Sequence, residues 1–539
     1  MRCHLSGQIS CFHQVRECGR MESCMKIVES KSGAPTLVIG ERYLHSKYDP
    51  VKEAQREISA VAGDNPAVLV ILGTGLGYTI TEALKILPNT KILAVESNPD
   101  IYRLMMENRQ ISESERIFFV VGKNRESNFE AITRCIDASA ATCIKYISRL
   151  SVLDDKHYSE ITEMIGKVAE MQIEGLNSMV RFGPLWWENS VRNYREWAEL
   201  PDVSGWFGAF SKTPVFIFAA GPTLSDNLDL FADGEGGLRF AVDTAYPILV
   251  KAGIRVDAVF AVDAQKMTLA HFEGAQPDLL LGAPVIPPEL WKLAKKSVIL
   301  SLDGPHFSWF DIALGRRTAR LKSGGSVTTF AFDLARRMTA EKIILVGADF
   351  AHRHGRRHSS GTAYEHFTDL IQSRFFSIES LNRQNQIQRD GFETESQLAQ
   401  YAQWMKWEIY ETSRPVFRTA DFGLLKDVPV IDRAELKKII STARPEFYRP
   451  NFHPVDSRFL IEAFKMEKIA LQFAMNGDAT ALRELSGFFD PIIRPYAVVS
   501  QREELSAKLL NELFDKLRSA DRILDEVISG SAENVKSEP

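Results

Sequence analysis

Short apolar runs alternate with amphipathic segments in the first part of the chain, a pattern that predicts the strands and helices of a parallel sheet. Ala67–Leu72 is a continuous apolar run of strand length that ends in Gly73. Such a run is typical of a strand buried on both faces of a sheet. A helical pattern at Ile80–Leu87 and a second strand pattern at Lys91–Glu96 follow with short links, so we predict a βαβ unit of a doubly wound fold.

A second series of strand patterns begins at Thr213 and predicts a separate parallel sheet. Helical patterns such as Ser326–Met338 lie between several of the strands, and such alternation places helices on the faces of a parallel sheet. The strand patterns are Val215–Ala220, Arg239–Asp243, Ala258–Asp263, Ser297–Leu302, Lys342–Asp349 and Val416–Ala420.

Two further regions are helical in pattern. Residues 125–200 end in an aromatic cluster, which we expect to serve in packing because aromatic side chains dominate buried surfaces. The cluster consists of Phe182, Trp186, Trp187, Tyr194 and Trp197. After about Ala443 the strand patterns stop, and Phe459–Met475 and Glu503–Ile528 are helical; the latter has one apolar stripe at three- and four-residue spacing.

We therefore predict an α/β protein with two Rossmann-like, doubly wound parallel-sheet domains and a C-terminal helical region. The length of 539 residues supports several domains, since a single core stops growing near roughly 250–300 residues. The predicted parts are a disordered leader at 1–34, an N-terminal domain at 35–200, a central α/β domain at 201–442 and the helical region at 443–539.

Composition and charge exclude two classes of function. Lysine and arginine number 65 and aspartate and glutamate 70, a net charge of −5, whereas a general nucleic-acid binder carries a basic excess. No run approaches the ~18 consecutive apolar residues of a membrane span, and residues 1–20 lack the apolar core of a signal peptide. We expect a cytoplasmic protein with no membrane span and no nucleic-acid partner.

Four of the six cysteines crowd the first 24 residues. They are Cys3, Cys11, Cys18 and Cys24, beside His4 and His13. A small zinc site is one interpretation, but the spacings lack the CxxC pairs that identify such sites. We favour a disordered leader, with Met21 and Met25 as alternative start residues, and predict no metal site.

A glycine-rich turn follows the first predicted strand. Gly73, Gly75 and Gly77 precede a helix, where glycine lets the backbone approach a ligand and the helix N-terminus favours an anion or a hydroxyl. Glu96 ends the next strand and could hold a ribose hydroxyl, as in nucleotide and S-adenosylmethionine folds. The alternative is a turn that only packs the fold, because a GxGxG pattern is weak evidence by itself.

The central domain has two turns that suit a phosphate. In the first, Gly221 allows close backbone approach, Pro222 stiffens the turn and Thr223 offers a hydroxyl. The second turn leads into a helix whose free backbone N–H groups could bind a phosphate or a sugar hydroxyl. This second turn contains Lys322, Ser323, Gly324 and Gly325.

Polar residues end three strands of the same domain, namely Asp243, Asp263 with Gln265, and Asp349. Because ligands of open parallel sheets bind outside the carboxyl ends of the strands, we predict a site at this edge. Residues 352–358 add three histidines and three arginines. They suit an anion-binding loop with one histidine as acid or base; a solvated basic loop and a metal site are the alternatives. The metal ligands would be His352, His354, His358 and Asp349.

In their order along residues 35–440, the motifs of this chain resemble those of the bacterial motility accessory factors. The motifs are Leu44–Pro50, Leu72–Tyr78, Ala220–Leu224, Val262–Gln265, Lys322–Ser326 and Gly347–Phe350. The central domain is also similar to archaeal 6-hydroxymethylpterin pyrophosphokinases and to bacterial sialyltransferases. The asparagine in the glycine turn of the sialyltransferases corresponds to Ala220 here, and two further asparagines correspond at best to Asp243 and Asp263. That change toward acids would suit a metal-assisted pyrophosphate donor, with magnesium as the metal.

The resemblance implies a glycosyltransferase that moves a nonulosonic, sialic-acid-like sugar from a CMP-activated donor to serine or threonine of flagellin. We expect His358 to be the base for the acceptor hydroxyl, with Asp263 as the second candidate. The donor-binding residues would be Gly221, Pro222, Thr223, Asp243, Gln265, Lys322, Ser323, Gly324, Gly325 and Asp349. Two alternatives remain: a pterin or nucleotide pyrophosphokinase that uses ATP and magnesium, and a non-enzymatic flagellar assembly or export factor that binds its partner through the helical tail.

Overall fold

The computed structural model describes residues 25–108, 114–141, 143–148, 155–365, 386–447, 450, 452–476, 485, 487–500 and 506–537. The cysteine-rich start, and with it the alternative zinc site, lies outside these residues. The chain forms two compact units, Met1–Ile173 and Glu174–Pro539. The domain boundaries after residues 200 and 442 stay a prediction.

The first unit contains a small antiparallel sheet. Its strands are β1 (Met25–Glu29), β2 (Pro35–Ile39) and β3 (Arg42–Tyr43), in that spatial order. The strand β1 lies within the leader that we expected to be disordered over residues 1–34. It forms because its backbone pairs with β2 across a tight turn, with Met25 opposite Ile39 and Glu29 opposite Pro35. Five residues of weak alternation are too few to predict such a strand.

The first unit also contains the predicted parallel sheet. Its strands are β4 (Val68–Leu72), β5 (Lys91–Glu96), β6 (Ile117–Val121) and β7 (Ile144–Ser148). The first two were predicted from the sequence, whereas β6 was not, and β7 lies in the region 125–200 that we expected to be helical. The order is β6-β5-β4-β7, and every pair is parallel. Every residue of β4 is buried, with Val68, Val70 and Leu72 in one apolar cluster and Leu69 and Ile71 in another. Burial of both faces explains the continuous apolar run in the sequence.

Five helices accompany these strands, and the last continues into the second unit. They are α1 (Pro50–Ala62), α2 (Tyr78–Ile86), α3 (Pro99–Asn108), α4 (Arg125–Cys135) and α5 (Asp155–Arg192). The carboxylate of Asp49 accepts hydrogen bonds from the backbone N–H groups of Val51 and Lys52 and so caps α1. With Pro50 in the first turn, this is a well-formed helix start.

The second unit is built on a seven-stranded parallel sheet. Its strands are β8 (Val215–Phe218), β9 (Leu238–Val242), β10 (Ala258–Ala261), β11 (Leu280–Gly282), β12 (Ser297–Ile299), β13 (Ile343–Val346) and, after the hairpin described below, β16 (Val416–Arg418). The order is β12-β11-β10-β9-β8-β13-β16. The chain therefore winds one way from β8 to β12 and then returns to the other side of β8, which makes β8 the switch point of the sheet.

Helices cover both faces of this sheet, and a hairpin lies before its last strand. The hairpin strands are β14 (Gln386–Arg389) and β15 (Phe392–Glu395). The helices are α6 (Tyr194–Glu199), α7 (Leu228–Ala232), α8 (Tyr246–Lys251), α9 (Pro288–Trp291), α10 (Pro305–Ala313), α11 (Val327–Arg337), α12 (Ser396–Glu411) and α13 (Arg433–Ile440).

The described residues after α13 include three helices: α14 (Arg458–Asn476), α15 (Asp490–Ser500) and α16 (Ala507–Ser537). They share one apolar core with the end of α5 and with α10, in which Trp197 stacks on Phe310 and Trp309 stacks on Phe464. The predicted fold class, two Rossmann-like parallel sheets with a C-terminal helical region, is confirmed. Among the residues described, no helix combines the length and the apolar character that crossing a membrane requires.

Candidate functional site

A cleft of about 730 Å³ lies at the carboxyl ends of the central strands of the second sheet. Residues that follow β8, β9, β10 and β13 line it, among them Gly221, Asp243, Asp263 and Asp349. The cleft thus lies at the switch point of the sheet, where ligands of open α/β sheets bind. The tertiary structure brings together residues that are more than 120 positions apart in the chain.

The turn after β8 is fixed by hydrogen bonds to the turn after β13. Asp349 accepts hydrogen bonds from the backbone N–H of Thr223 (2.7 Å) and from its hydroxyl (2.6 Å). The N–H of Gly221 donates to the carbonyl of Gly347 at 2.8 Å, and a Cβ at Gly221 would overlap that oxygen and the Asp349 carboxylate. Glycine is therefore required here by close contact with a neighbouring turn. Thr223 is buried against Asp349, and neither it nor Pro222 lines the cleft.

Two carboxyl groups face the cleft from neighbouring strands. Asp243 is 3% exposed and accepts hydrogen bonds from the N–H of Thr244 (2.7 Å) and from its hydroxyl (3.1 Å). Burial raises the pKa of Asp243 to about 7, and the negative charge of Asp263 adds to this increase. Asp263 accepts a hydrogen bond from the backbone N–H of Gln265 at 2.9 Å. Burial likewise raises the pKa of Asp349 to about 6, against the hydrogen bonds from Thr223.

The start of α11 faces the same cleft. Ser326 caps the helix by accepting a hydrogen bond from the N–H of Thr328, and both residues line the cleft with Gly325 and Val327. Backbone N–H groups at a helix start attract anions, because they have no partner within the helix and stand at the positive end of its dipole.

The residues before this helix start have other contacts. The hydroxyl of Ser323 accepts a hydrogen bond from Gly325 N–H at 2.8 Å, a Cβ at Gly324 would overlap Trp404, and the ammonium of Lys322 lies 3.6 Å from Glu408. Of the four residues predicted in this turn, Gly325 lines the cleft, and Lys322, Ser323 and Gly324 do not. The sequence located the turn, whereas the packing of α12 against it decides which residues face outward.

The histidine- and arginine-rich loop forms another wall of the cleft. His358 lines the cleft and its ring stacks on Tyr364, with 5.6 Å between ring centroids. Burial, with a smaller effect of the positive charge of Arg357, lowers the pKa of His358 to about 3. The imidazole is therefore neutral at pH 7. Ser359 N–H donates to the Ala220 carbonyl at 2.9 Å, which attaches this loop to the turn after β8.

The arrangement of this loop does not form the alternative metal site. His352 lies 3.0 Å from a carboxylate oxygen of Glu395 and 2.9 Å from the side-chain nitrogen of Gln386, and His354 is exposed. Within the part of the chain that the structure describes, no three side chains of His, Cys, Asp or Glu are grouped as metal ligands. A turn with His354 and Gly355 at positive φ separates the histidines.

Several cleft residues were not predicted from the sequence. They include Arg181, Phe182, Trp186, Tyr364, Gln397 and Tyr401. Phe182 and Trp186 belong to the aromatic cluster that we assigned to packing. This assignment is correct for Trp187 and Trp197, which are buried, but Phe182 and Trp186 stack on each other at the cleft, with centroids 6.3 Å apart. The four-residue spacing of the two rings was a usable sign that they share one helix face.

The glycine turn of the first unit makes its hydrogen bonds internally. Gly73, Gly75 and Gly77 all have positive φ, as a sharp turn requires. His45 accepts a hydrogen bond from the backbone N–H of Leu76 at 2.7 Å through its Nε2, and a Cβ at Gly75 would overlap the ring.

Glu96 is engaged in the same turn. One carboxylate oxygen accepts hydrogen bonds from the N–H and from the hydroxyl of Thr74, both at 3.0 Å, and the other accepts from the N–H of Asn98 at 3.1 Å. Burial is the largest influence on the pKa of Glu96 and raises it. The acid predicted to hold a ribose hydroxyl thus binds the backbone of its own unit, and a nucleotide at this turn stays a prediction.

Comparisons with known proteins match the part of the chain that forms the cleft. Residues 188–355 match the family model described as 6-hydroxymethylpterin diphosphokinase MptE-like. An uncharacterized protein of Treponema pallidum (strain Nichols) is 22% identical over 205 residues, which are 36% of this chain and 68% of that protein. The solved structure of the MAf glycosyltransferase from Magnetospirillum magneticum AMB-1 superposes with a TM-score of 0.53 over 95% of this chain and 93% of that one, at 13% identity.

The family-model match covers β8 to β13 and therefore contains the strands whose ends form the cleft. The structural match extends over nearly the whole chain, so it includes the first unit and the C-terminal helices as well. Both agree with the resemblance inferred from the order of the sequence motifs. Residues 188–355 of this chain are thus similar to the MptE-like family, and the chain has the fold of the solved MAf glycosyltransferase.

Proposed function

We propose that this chain is a glycosyltransferase that moves a nonulosonic, sialic-acid-like sugar from a CMP-activated donor to a serine or threonine hydroxyl of flagellin. The observation that carries the proposal is the convergence on one open cleft of aspartates from the strand ends, the start of α11, arginines and a neutral histidine. The glycosyltransferase named among the solved structures of this fold supports the reaction class, and the order of the motifs supports the donor and the acceptor.

The groups at one side of the cleft suit a leaving nucleotide phosphate. The start of α11 lines the cleft at Ser326 and Val327, and Arg356 and Arg357 line it as well. Preorganised donors of this kind stabilise the negative charge that develops as a phosphate leaves. The aromatic rings of Trp186 and Tyr401 offer flat apolar surface on which the cytosine ring of the donor could stack.

In the proposed reaction, the acceptor oxygen bonds to the anomeric carbon of the sugar as the bond from that carbon to the phosphate oxygen of CMP breaks. The proton of the acceptor hydroxyl goes to a base, which we assign to His358, with Asp263 as the second candidate. The imidazole of His358 is neutral at pH 7, so one ring nitrogen has a lone pair that can accept a proton, but burial, which lowers its pKa to about 3, makes it a weak base when no donor is bound. The negative charges of a bound donor would raise its basicity.

The MptE-like match favours one alternative, a pterin or nucleotide pyrophosphokinase that uses ATP and magnesium. Asp243 and Asp263 both line the cleft, and magnesium in such enzymes is typically held by one or two carboxylates and by the substrate phosphates. These two residues would hold the ion, which would neutralise the charge of the phosphates. A non-enzymatic role in flagellar assembly is the remaining alternative.

The decisive experiment incubates the purified full-length chain with a CMP-activated nonulosonic sugar and unglycosylated flagellin, and measures the intact mass of the flagellin. We expect a mass increase of one or more sugar residues and release of CMP. Parallel reactions contain ATP, magnesium and 6-hydroxymethylpterin. Transfer of a diphosphate group from ATP to the pterin, with release of AMP and without sugar transfer, would favour the pyrophosphokinase. Binding of flagellin without any turnover would favour the assembly factor.

A matched pair of variants tests whether His358 is the general base. His358 lines the cleft, whereas His354 lies four residues away in the same loop and is exposed. We expect His358→Ala to abolish transfer and His354→Ala to leave it unchanged, with equal melting temperatures. Transfer at the normal rate in His358→Ala would remove this residue from the mechanism, and Asp263→Asn would then test the second candidate.

A further inference from the structure

The helix α5 forms one wall of the cleft, and this wall has one positive charge. Ser178, Arg181, Phe182 and Trp186 line the cleft. The last three stand three, four and eight positions after Ser178, which places all four residues on one face of the helix. Arg181 is the charged member of this set, and its side chain is exposed.

The charge of Arg181 is not neutralised by a neighbouring acid. Two other arginines that line the cleft have carboxylate partners: Arg356 lies 3.2 Å from Glu365, and Arg357 lies 3.2 Å from Glu395. Arg181, by contrast, forms an ion pair with none of the acids that the structure describes. No acid stands three or four positions away on its helix, where such a partner would lie. Arg181 is therefore available for an anionic ligand.

An aromatic ring supports the guanidinium group of Arg181. The guanidinium lies over the ring of Phe182, 4.9 Å from its centroid, and that ring stacks on Trp186. A guanidinium in such a stack is attracted through its face, so the N–H groups along its edge stay free to donate. Two parallel N–H groups of this edge match the two oxygens of a carboxylate. Arg181 is thus preorganised for a planar anion.

The donor of the proposed reaction carries two negative groups on one atom. The anomeric carbon of a nonulosonic sugar bears the phosphate of CMP and also the carboxylate of the sugar. The start of α11 suits the phosphate, because its first backbone N–H groups have no partner within the helix. The carboxylate needs a second positive group, and the planar fork of a guanidinium matches it with two hydrogen bonds.

We propose that Arg181 binds the carboxylate of the sugar and makes the cleft selective for acidic sugars, an inference that rests on the function proposed above. Asp243 and Asp263 line the same cleft, and they would repel a second anion that had no cation beside it. A neutral sugar would cover the guanidinium without giving it a partner, and this desolvation disfavours binding.

Isothermal titration calorimetry of the full-length chain with two ligands tests this proposal. The ligands are CMP and a 3-fluoro analogue of the CMP-activated sugar, which keeps the carboxylate and resists transfer. We expect Arg181→Gln to weaken binding of the analogue at least about tenfold, because a charged hydrogen-bond partner is lost, and to leave binding of CMP within about twofold of wild type. Arg181→Lys keeps the charge without the planar fork and should restore part of the loss. The control, Arg522→Gln, removes an exposed arginine of α16 that does not line the cleft, and it should change neither affinity.

A second analogue, in which an amide replaces the carboxylate, identifies the contact. This change should weaken binding to wild type as much as Arg181→Gln does, and it should cost nothing further in Arg181→Gln. Equal weakening of CMP and of the fluoro analogue by Arg181→Gln would assign this residue to the phosphate and overturn the proposal, as would unchanged binding of both. A wild-type chain that binds CMP and gains nothing from the carboxylate would refute this inference alone. A wild-type chain that binds neither ligand would refute the proposed function as well.

Discussion

Two glycine-rich turns of this chain, Gly73–Gly77 in the first unit and Ala219–Thr223 in the second, each join a buried parallel strand to a helix. In the first turn, the polar groups that a nucleotide would use bind groups of their own unit: Leu76 N–H donates to His45, and Glu96 accepts from Thr74. In the second turn, Asp349 holds Thr223 from behind, and the edge of the turn remains open to a cleft of about 730 Å³.

The difference shows that a glycine turn does not form a ligand site by itself. Residues from other segments of the chain must line an open cleft beside it. In the first unit, the side chain of His45, from the segment before α1, packs against the turn and fills the space beside it. In the second unit, the neighbouring strands bring Asp243 and Asp263, whose side chains line open space. We expect substitutions at the two turns to separate stability from activity.

The largest effect is expected at Gly221. Gly221→Ala places a methyl group against the Gly347 carbonyl oxygen and the Asp349 carboxylate. Because one of these atoms belongs to the backbone, the turn after β8 must move, and with it the wall of the cleft. We expect transfer to fall by at least about 100-fold, since small displacements of positioning groups have effects of this size. Wild-type transfer in this variant would show that the turn does not position the donor.

A smaller effect, on stability alone, is expected at Gly75. Gly75→Ala overlaps the His45 ring and places alanine at a φ of +53°, which should lower the free energy of unfolding of the first unit by about 1–3 kcal/mol. The clash involves only a side chain, so His45→Ala in the same chain should restore part of the loss. Urea unfolding, followed by hydrogen exchange in the first unit, measures both changes. Sugar transfer should remain within twofold of wild type, and a large loss would connect this turn to the reaction.

The smallest effects concern pH and the two buried acids. The pKa of Asp243 is about 7 in the folded chain and 3.8 as its ordinary value. Between these values the folded chain retains a proton that the unfolded chain has lost, so stability falls as the pH rises through this window. We expect Asp243→Asn to melt a few degrees above wild type at about pH 8, with little difference at about pH 4.5.

Glu96 provides the matched contrast. Its carboxylate accepts hydrogen bonds from two backbone N–H groups, those of Thr74 and Asn98. In Glu96→Gln the side-chain NH2 group would face one of these backbone N–H groups. That hydrogen bond would be lost, which costs about 1–3 kcal/mol of folding stability. Because burial also raises the pKa of Glu96, the pH linkage favours the amide at high pH here as well. The lost hydrogen bond opposes this gain, so we expect Glu96→Gln to gain less melting temperature between about pH 4.5 and about pH 8 than Asp243→Asn does. Equal responses of the two variants would contradict the assignment of one acid to structure and the other to an open site.

The sequence predicted those parts of the fold that depend on local pattern. Continuous apolar runs such as Val68–Leu72 identify buried parallel strands because both faces must be apolar. Acids placed after β9, β10 and β13 converge because carboxyl ends of parallel strands share one edge of a sheet. The strand β1, by contrast, is formed by pairing with β2 across a turn, and nothing in its own five residues requires it.

The sequence by itself determined the two sheets, their glycine turns and the edge at which the acids meet, because these follow from periodicity and from the direction of parallel strands. The tertiary structure alone decided which turn stays open. Packing of His45 against Gly75 and of Trp404 against Gly324 depends on contacts between segments far apart in the chain. Local pattern contains no information on such contacts, so the side chains that face a ligand emerge only when the chain is folded.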